Sequence, residues 1–307
     1  MAHRTFWDEQ RRNRRDSLLL AILVSLFLFG IIYIFALMFA PDALIFVLPF
    51  SVIIIVIYTW SSYQYGDKVV LASTHARPAE GPEFTYLNNI AEGLAIAAGV
   101  PPPKVYVIDN PDINAFSTGK DPQHASIAVN TGAINQLNRE ELEGVVAHEM
   151  SHVRNRDVEF MTYIAVLVGL VSILSHVILQ WAWFAGVTGA SQSRGRGRSR
   201  DGGGGLQIVI LVVGLLLAIL APIATTLIEL AVSRRREFLA DAGGAELTRN
   251  PEGLASALEK IKNLNQGRMK VDQAVSPLFI SDPNKRGLDL FATHPPIDER
   301  IKRLREM

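Results

Sequence analysis

The 307-residue chain contains no cysteine. That excludes disulfide staples, thiolate metal sites and a cysteine nucleophile, so any metal must be held by histidine and carboxylate. Charge is scarce as well: 20% of residues are charged, below the ~25% of ordinary globular domains. Neither sign dominates, since 30 Lys and Arg face 30 Asp and Glu. A general nucleic-acid binder needs clustered positive charge, so nucleic acid is not an expected partner. What the chain has in surplus is apolar, with 49% hydrophobic residues.

The surplus is gathered into four blocks. Residues 18–40, 43–60 and 206–228 carry no formal charge, and residues 160–193 have His176 as their one ionisable group. Each block reaches the ~17–25 residues that a helix needs to cross a bilayer. This predicts about four transmembrane helices in two hairpins, over 18–60 and 159–232. The first block is longer than the ~7–15 apolar residues of a signal peptide and reads as a retained anchor.

Orientation follows from the flanks. Arg4, Arg11, Arg12, Arg14 and Arg15 precede the first block, while the Pro41-Asp42 connection has no Lys or Arg. The positive-inside rule keeps the basic segment 1–17 cytoplasmic and returns residues 61–158 and 233–307 to the cytoplasm. One flank disagrees. Residues 191–205 hold Arg194, Arg196, Arg198 and Arg200, yet this topology puts them outside. They read as a flexible Arg/Gly-rich linker rather than a nucleic-acid segment, and they leave open whether 159–232 crosses fully.

The polar segments show helical spacing over 82–98 with Gly99 at the C-cap position, short strands at 105–108 and 126–129, and helices at 235–247, 253–264 and 297–305. Asn138, with Glu141 three residues on, has the spacing of a helix capping box. That helix carries His148-Glu149-Met150-Ser151-His152. Residues i and i+4 share a helix face, so both imidazoles can hold one metal ion while the intervening carboxylate works on a neighbouring water. Glu149 falls inside the apolar stripe of Leu142, Val145, Val146 and Val153, where a surface helix would carry a hydrophobic residue. An inward carboxylate needs a partner.

A catalytic zinc site takes three protein ligands and keeps one position open. Glu237, in the stretch from Ser233 to Asp241, is the best third candidate. It starts a helix at the inner end of the fourth apolar block, and His152 lies just before the third. Asp241, one turn later, can hydrogen-bond a ligand imidazole. An arginine-rich solvated helix accounts for the same stretch, and both readings stand on the spacing alone. His294, before Pro295-Pro296, is a candidate for stabilising a developing oxyanion or simply a neighbour of a helix start.

Four motifs occur along the chain: N-A-F (114–116), H-E-x-S-H-x-x-N-x-D (148–157), S-R-x-R-E-F-x-A-D (233–241) and T-H-P-P-x-x-E-R-I (293–301). Together they resemble the HtpX-type membrane zinc metalloproteases, gluzincins related to the CAAX prenyl proteases, from about residue 15 to 305. The resemblance implies a membrane protein, mainly α, whose cytoplasmic α+β zincin-like protease domain is assembled from two segments. It implies one zinc ion per chain on His148, His152 and Glu237, with Glu149 as general base and Asp241 in support. It also implies that Asn114, Ala115 and Phe116 form an edge strand that grips substrate backbone. The expected activity is endopeptidase cleavage of unfolded or membrane proteins, as quality control at the cytoplasmic face of the inner membrane. The alternatives are a non-catalytic zinc-binding scaffold and a prenyl-protein processor. The intact Glu149 argues against the first, and the lack of a large helical chamber against the second.

Overall fold

The computed structural model describes residues 41–170, 233–267, 269–272, 274–284 and 294–307, with isolated positions and short runs between 15 and 37 and at 176 and 180. The apolar block 206–228 and the Arg/Gly-rich stretch 191–205 lie outside the described residues. Among those described, one helix is long and apolar enough to cross a membrane, the run Pro41–Ser73. Its α-helical part, α1 (Leu44–Ser73), exposes Ile45, Phe46, Phe50, Ile54, Ile57 and Trp60 around its circumference. A water-facing helix would restrict such side chains to one stripe, and lipid imposes no such restriction.

α1 does not end where the apolar run ends. Its last four turns carry Asp67 and Lys68, and they bury Ser62, Gly66, Val70 and Leu71 against the domain below. Gly66 allows close packing, because a Cβ there would sit 3.2 Å from methyl carbons of Thr162 and Val166. Thr162 and Val166 belong to α5, helical over the described residues 157–170. The start of the third apolar block is therefore buried within the protein: Ile164 and Leu167 are each 1% exposed.

The polar segments fold as a four-stranded sheet with helices beneath it. β1 (Arg77–Pro78), β2 (Lys104–Ile108), β3 (Ala115–Thr118) and β4 (Ser126–Asn130) lie in the order β1-β2-β4-β3. β2 and β4 run parallel, and β3 is antiparallel to β4, with Ser117 opposite Ile127. This order places β3 at the edge. α2 (Thr85–Ala98) ends on Gly99 at φ 69°, the left-handed conformation that glycine adopts without penalty. α3 (Thr131–Gln136) then leads into α4 (Arg139–Arg154), which opens with the expected capping box. The Asn138 side chain accepts from the Glu141 N–H, and the Glu141 carboxylate accepts from the Asn138 N–H.

The second half of the chain contributes α6 (Arg234–Thr248) and α7 (Pro251–Leu264), which pack on α4, and α8 (Ile297–Arg305), which packs on α7 and α6. α6 lies unusually close to α4. A Cβ at Gly243 would fall 2.1 Å from the Ser151 hydroxyl, and one at Gly244 3.0 Å from the His148 backbone nitrogen. Small residues at these two positions let the helix axes approach until a carboxylate on α6 reaches the imidazoles on α4. Leu142, Val145, Val146, Leu254, Leu258, Ile301 and Leu304 form one continuous apolar core between the two halves.

Candidate metal centre

α4 sets His148 and His152 one turn apart, with ring centroids 4.9 Å apart and planes at 90°. α6 inserts Glu237 between them. One carboxylate oxygen lies 3.7 Å from His148 Nε2, and the other 3.6 Å from His152 Nε2. A donor atom from each of the three residues lies within 4.8 Å of the others, and all three residues are buried. Among the described residues no other His, Asp and Glu cluster has this geometry.

The outer nitrogen of each imidazole is occupied. His148 Nδ1 meets Asp241 Oδ1 at 3.0 Å, and His152 Nδ1 meets Asp157 Oδ2 at 3.1 Å. A carboxylate at Nδ1 fixes ring orientation and turns Nε2 inward, the arrangement that metal-binding histidines require. Asp241 is itself held by Arg300 of α8, whose Nε and Nη2 donate to its two oxygens at 2.9 and 2.7 Å. Nη1 of Arg300 donates to the Ile280 carbonyl and stands 3.5 Å from the Glu237 carboxylate. Arg300 is 1% exposed, so its charge is offset entirely by buried partners.

The electrostatics follow from this packing. Burial pulls the His152 imidazolium down, but the bond to Asp157 and the charges of Glu237, Asp157 and Glu149 outweigh it and push the pKa up to about 9. Burial pushes Glu237 upward, yet contact with His294 and the charges of His294, Arg300 and His152 hold it well below the usual carboxylate range. Asp241 likewise lies below its ordinary value, with burial overcome chiefly by Arg300.

Glu149 lies 1% exposed on the same helix. The Ser117 hydroxyl donates to one of its carboxylate oxygens at 2.7 Å. The other oxygen is buried with no hydrogen-bond partner. His294 approaches from the opposite half of the chain, with Nδ1 3.5 Å from Glu237 Oε2, and neither of its ring nitrogens makes a hydrogen bond. Unpartnered polar atoms on Glu149, Glu237 and His294, in one buried place, fit a site built for a cation and a water-derived ligand. With two imidazoles, one carboxylate and no sulfur, the donor set suits a divalent ion of borderline softness.

His148, Glu149, His152, Glu237, Asp241 and His294 thus converge as the motifs suggest. Asp157 and Arg300 lie within the same motifs, and the structure shows both holding the imidazole shell. Asp157 reaches His152 because the chain turns sharply after α4, with Arg156 at φ 61°. Ser117 was not anticipated. Its only sequence signal is a small hydroxyl immediately after Asn114-Ala115-Phe116.

The strand expected to grip substrate lies where the sequence suggests, with part of its edge already paired. Asn114, Ala115 and Phe116 do lie along the edge of the sheet, but the edge is not free. The Ile280 N–H donates to the Ala115 carbonyl at 3.0 Å, and Phe279 stands opposite Phe116 in an antiparallel bridge. The Asn114 side chain binds the Ser281 backbone, donating to its carbonyl at 2.8 Å and accepting from its N–H at 3.3 Å. The Ala115 carbonyl and the Asn114 side chain are thus occupied by the chain itself, with Phe279 packed on Phe116 at 4.8 Å between centroids.

A buried carboxylate beside paired imidazoles, beneath the edge of a mixed sheet, is an arrangement suited to a metalloprotease. The comparisons with known proteins agree, and the chain belongs to peptidase family M48, whose family model matches residues 82–307. It is 48% identical over 307 residues to a protein named Protease HtpX homolog from Caldanaerobacter subterraneus subsp. tengcongensis, covering 100% of this chain and 99% of that one. Proteins of the same name from Dictyoglomus thermophilum and Streptococcus pneumoniae strain R6 are 40% and 41% identical, covering 99% and 98% of this chain and 95% and 99% of their own. The crystal structure of S. mikatae Ste24p is similar at a TM-score of 0.49 and 21% identity, over 94% of this chain and 66% of that one.

Proposed function

We propose that the chain is a multi-pass membrane endopeptidase that holds one zinc ion on His148, His152 and Glu237. In this proposal it cleaves unfolded or membrane proteins at the cytoplasmic face of the inner membrane, as protein quality control. The observation that carries the catalytic part is Glu149, buried beside the ligand cluster with one oxygen tied and the other bare. A purely structural metal site has no use for that carboxylate.

Zinc, when bound, supplies Lewis acidity that polarises a carbonyl and makes water easier to deprotonate. The residues do the rest. Glu149 takes a proton from the attacking water on its free oxygen and passes it to the leaving amine, as a general base and then a general acid. Asp241 and Asp157 hold the two imidazoles in the tautomer that turns Nε2 inward. Arg300 keeps Asp241 ionised, and its neighbourhood keeps Glu237 anionic. His294, with both ring nitrogens unbonded, is placed to donate to the oxyanion that develops on the scissile carbonyl.

Cytoplasmic placement is supported by the arginines before residue 18 and by their absence at Pro41-Asp42. α1 runs without a break from the apolar zone into the protease domain, which supports a site close to the bilayer. That favours segments extracted from, or lying against, the membrane. The test is purified full-length protein in detergent, supplied with unfolded casein. The expected result is about one zinc per chain and cleavage that a chelator abolishes and added zinc restores. Cleavage that persists after complete removal of metal would rule the proposal out.

A further inference from the structure

We propose that Ser117 is a positioning residue for the general base, pinning one carboxylate oxygen of Glu149 so that the other alone meets the water. The inference rests on Glu149 being that base. Ser117 lies on β3, which is fixed from both ends. Its pairing with β4 sets Ser117 opposite Ile127. At the strand's end the Thr118 hydroxyl meets the Thr162 hydroxyl at 2.9 Å, and the Gly119 N–H donates to the same Thr162 oxygen at 3.1 Å. The strand therefore cannot slide along α4, and the serine hydroxyl is held at a set height over the helix.

From that place the hydroxyl donates to Glu149 Oε2 at 2.7 Å, with Ser117 4% and Glu149 1% exposed. This is an ordinary length for a hydroxyl bonded to a carboxylate, and a general base acts in its ionised form. An ionised carboxylate has no proton of its own to give, so the hydroxyl proton is committed to this bond. Glu149 Oε1 has no such tie. The two oxygens of one carboxylate thus have separate duties, one structural and one reactive. Without the hydroxyl, the side chain would keep its burial but lose what fixes its terminal torsion, which is broad for glutamate. A base displaced by about 1 Å is a poor base even when bound substrate and metal are unchanged.

A merely structural role makes a different prediction. If the bond only satisfies two buried polar groups, its loss lowers the melting temperature and leaves turnover by the folded protein intact. The experiment compares full-length Ser117→Ala, Ser117→Thr, Ser117→Cys and Glu149→Gln proteins. Each is measured for kcat and KM on an unfolded substrate, for zinc affinity by chelator competition, and for melting temperature. Ser117→Ala is expected to keep wild-type zinc affinity and KM while losing kcat by about ten- to a hundredfold. Ser117→Thr retains the hydroxyl and is expected within about threefold of wild type. Ser117→Cys, similar in size with a weaker donor, is expected between them. Wild-type kcat in Ser117→Ala overturns the proposal. Should that variant fail to fold, wild-type kcat in Ser117→Cys overturns it equally. The base itself is tested separately: cleavage by Glu149→Gln at the wild-type rate removes the catalytic reading, whereas a dead Glu149→Gln with a fully active Ser117→Ala removes the serine alone.

Discussion

Arg300 grips Asp241 with two donors, at 2.9 and 2.7 Å, across 59 residues of chain. The pair is buried, and its carboxylate orients His148. The last helix of the protein is thereby connected to the first half of the metal site through one charge pair. Substituting Arg300 by methionine fills much the same space but leaves Asp241 a buried carboxylate with the His148 ring and no cation beside it. The expected cost is about 3–5 kcal/mol of stability and ~10–100-fold in zinc affinity. Lysine should recover only part of this, since one ammonium cannot reproduce the two-pronged contact. Chelator competition and thermal melting of the variants measure both quantities. An Arg300→Met protein that binds zinc as tightly as wild type would remove Arg300 from the support of the site.

Metal removal should expose a pH dependence. In the metal-free protein the His152 pKa is raised from 6.5 to about 9, against the pull of burial, by Asp157, Glu237 and Glu149. A raised folded-state value means that the protonated form stabilises the fold. That contribution is complete below pH 6.5 and is lost as pH rises through about 9, to the extent of roughly 3 kcal/mol. Melting of metal-stripped protein between pH 6 and 10 should show the decline. The zinc-loaded protein should not, because the ligand imidazole is already deprotonated there. Identical, flat profiles for both forms would contradict the assignment.

The occupied edge of β3 makes a further prediction. An extended substrate that uses the Ala115 carbonyl must compete with the Ile280 N–H, and one that uses Asn114 must compete with Ser281. Hydrogen exchange on Glu149→Gln protein with saturating unfolded casein is the check. Amides 279–281 should exchange faster on binding while 115–118 become protected. If 279–281 stay protected with substrate bound, the substrate pairs elsewhere and the Asn114-Ala115-Phe116 assignment fails.

The parts of this site differ in how readily the sequence shows them. His148, Glu149 and His152 are legible because helix periodicity alone puts them together. Glu237 is legible only as a carboxylate at the right end of an apolar block, since its approach depends on Gly243 and Gly244 packing against α4. Arg300 and Ser117 show no comparable pattern: each acts only through tertiary contacts, and an Arg after a Glu or a Ser in a strand is common on any surface. The same holds for α1. Its apolar residues announce a span at 43–60, but Asp67 and Lys68 conceal that the helix continues to Ser73, held by Gly66 against Thr162. Occupation of the β3 edge was invisible for the same reason, because Phe279 lies 163 residues after Phe116 and only packing brings them together.

In the proposed mechanism Glu149 performs the chemistry in a site whose metal is held by other residues. Glu149→Gln preserves the shape and the bond from Ser117 while removing the basic oxygen. Zinc content and casein cleavage, measured on the same purified sample, test the claim directly. About one zinc per chain is expected, as in wild type, with cleavage reduced by at least about a hundredfold. Zinc-loaded Glu149→Gln protein that cleaves at the wild-type rate would contradict it.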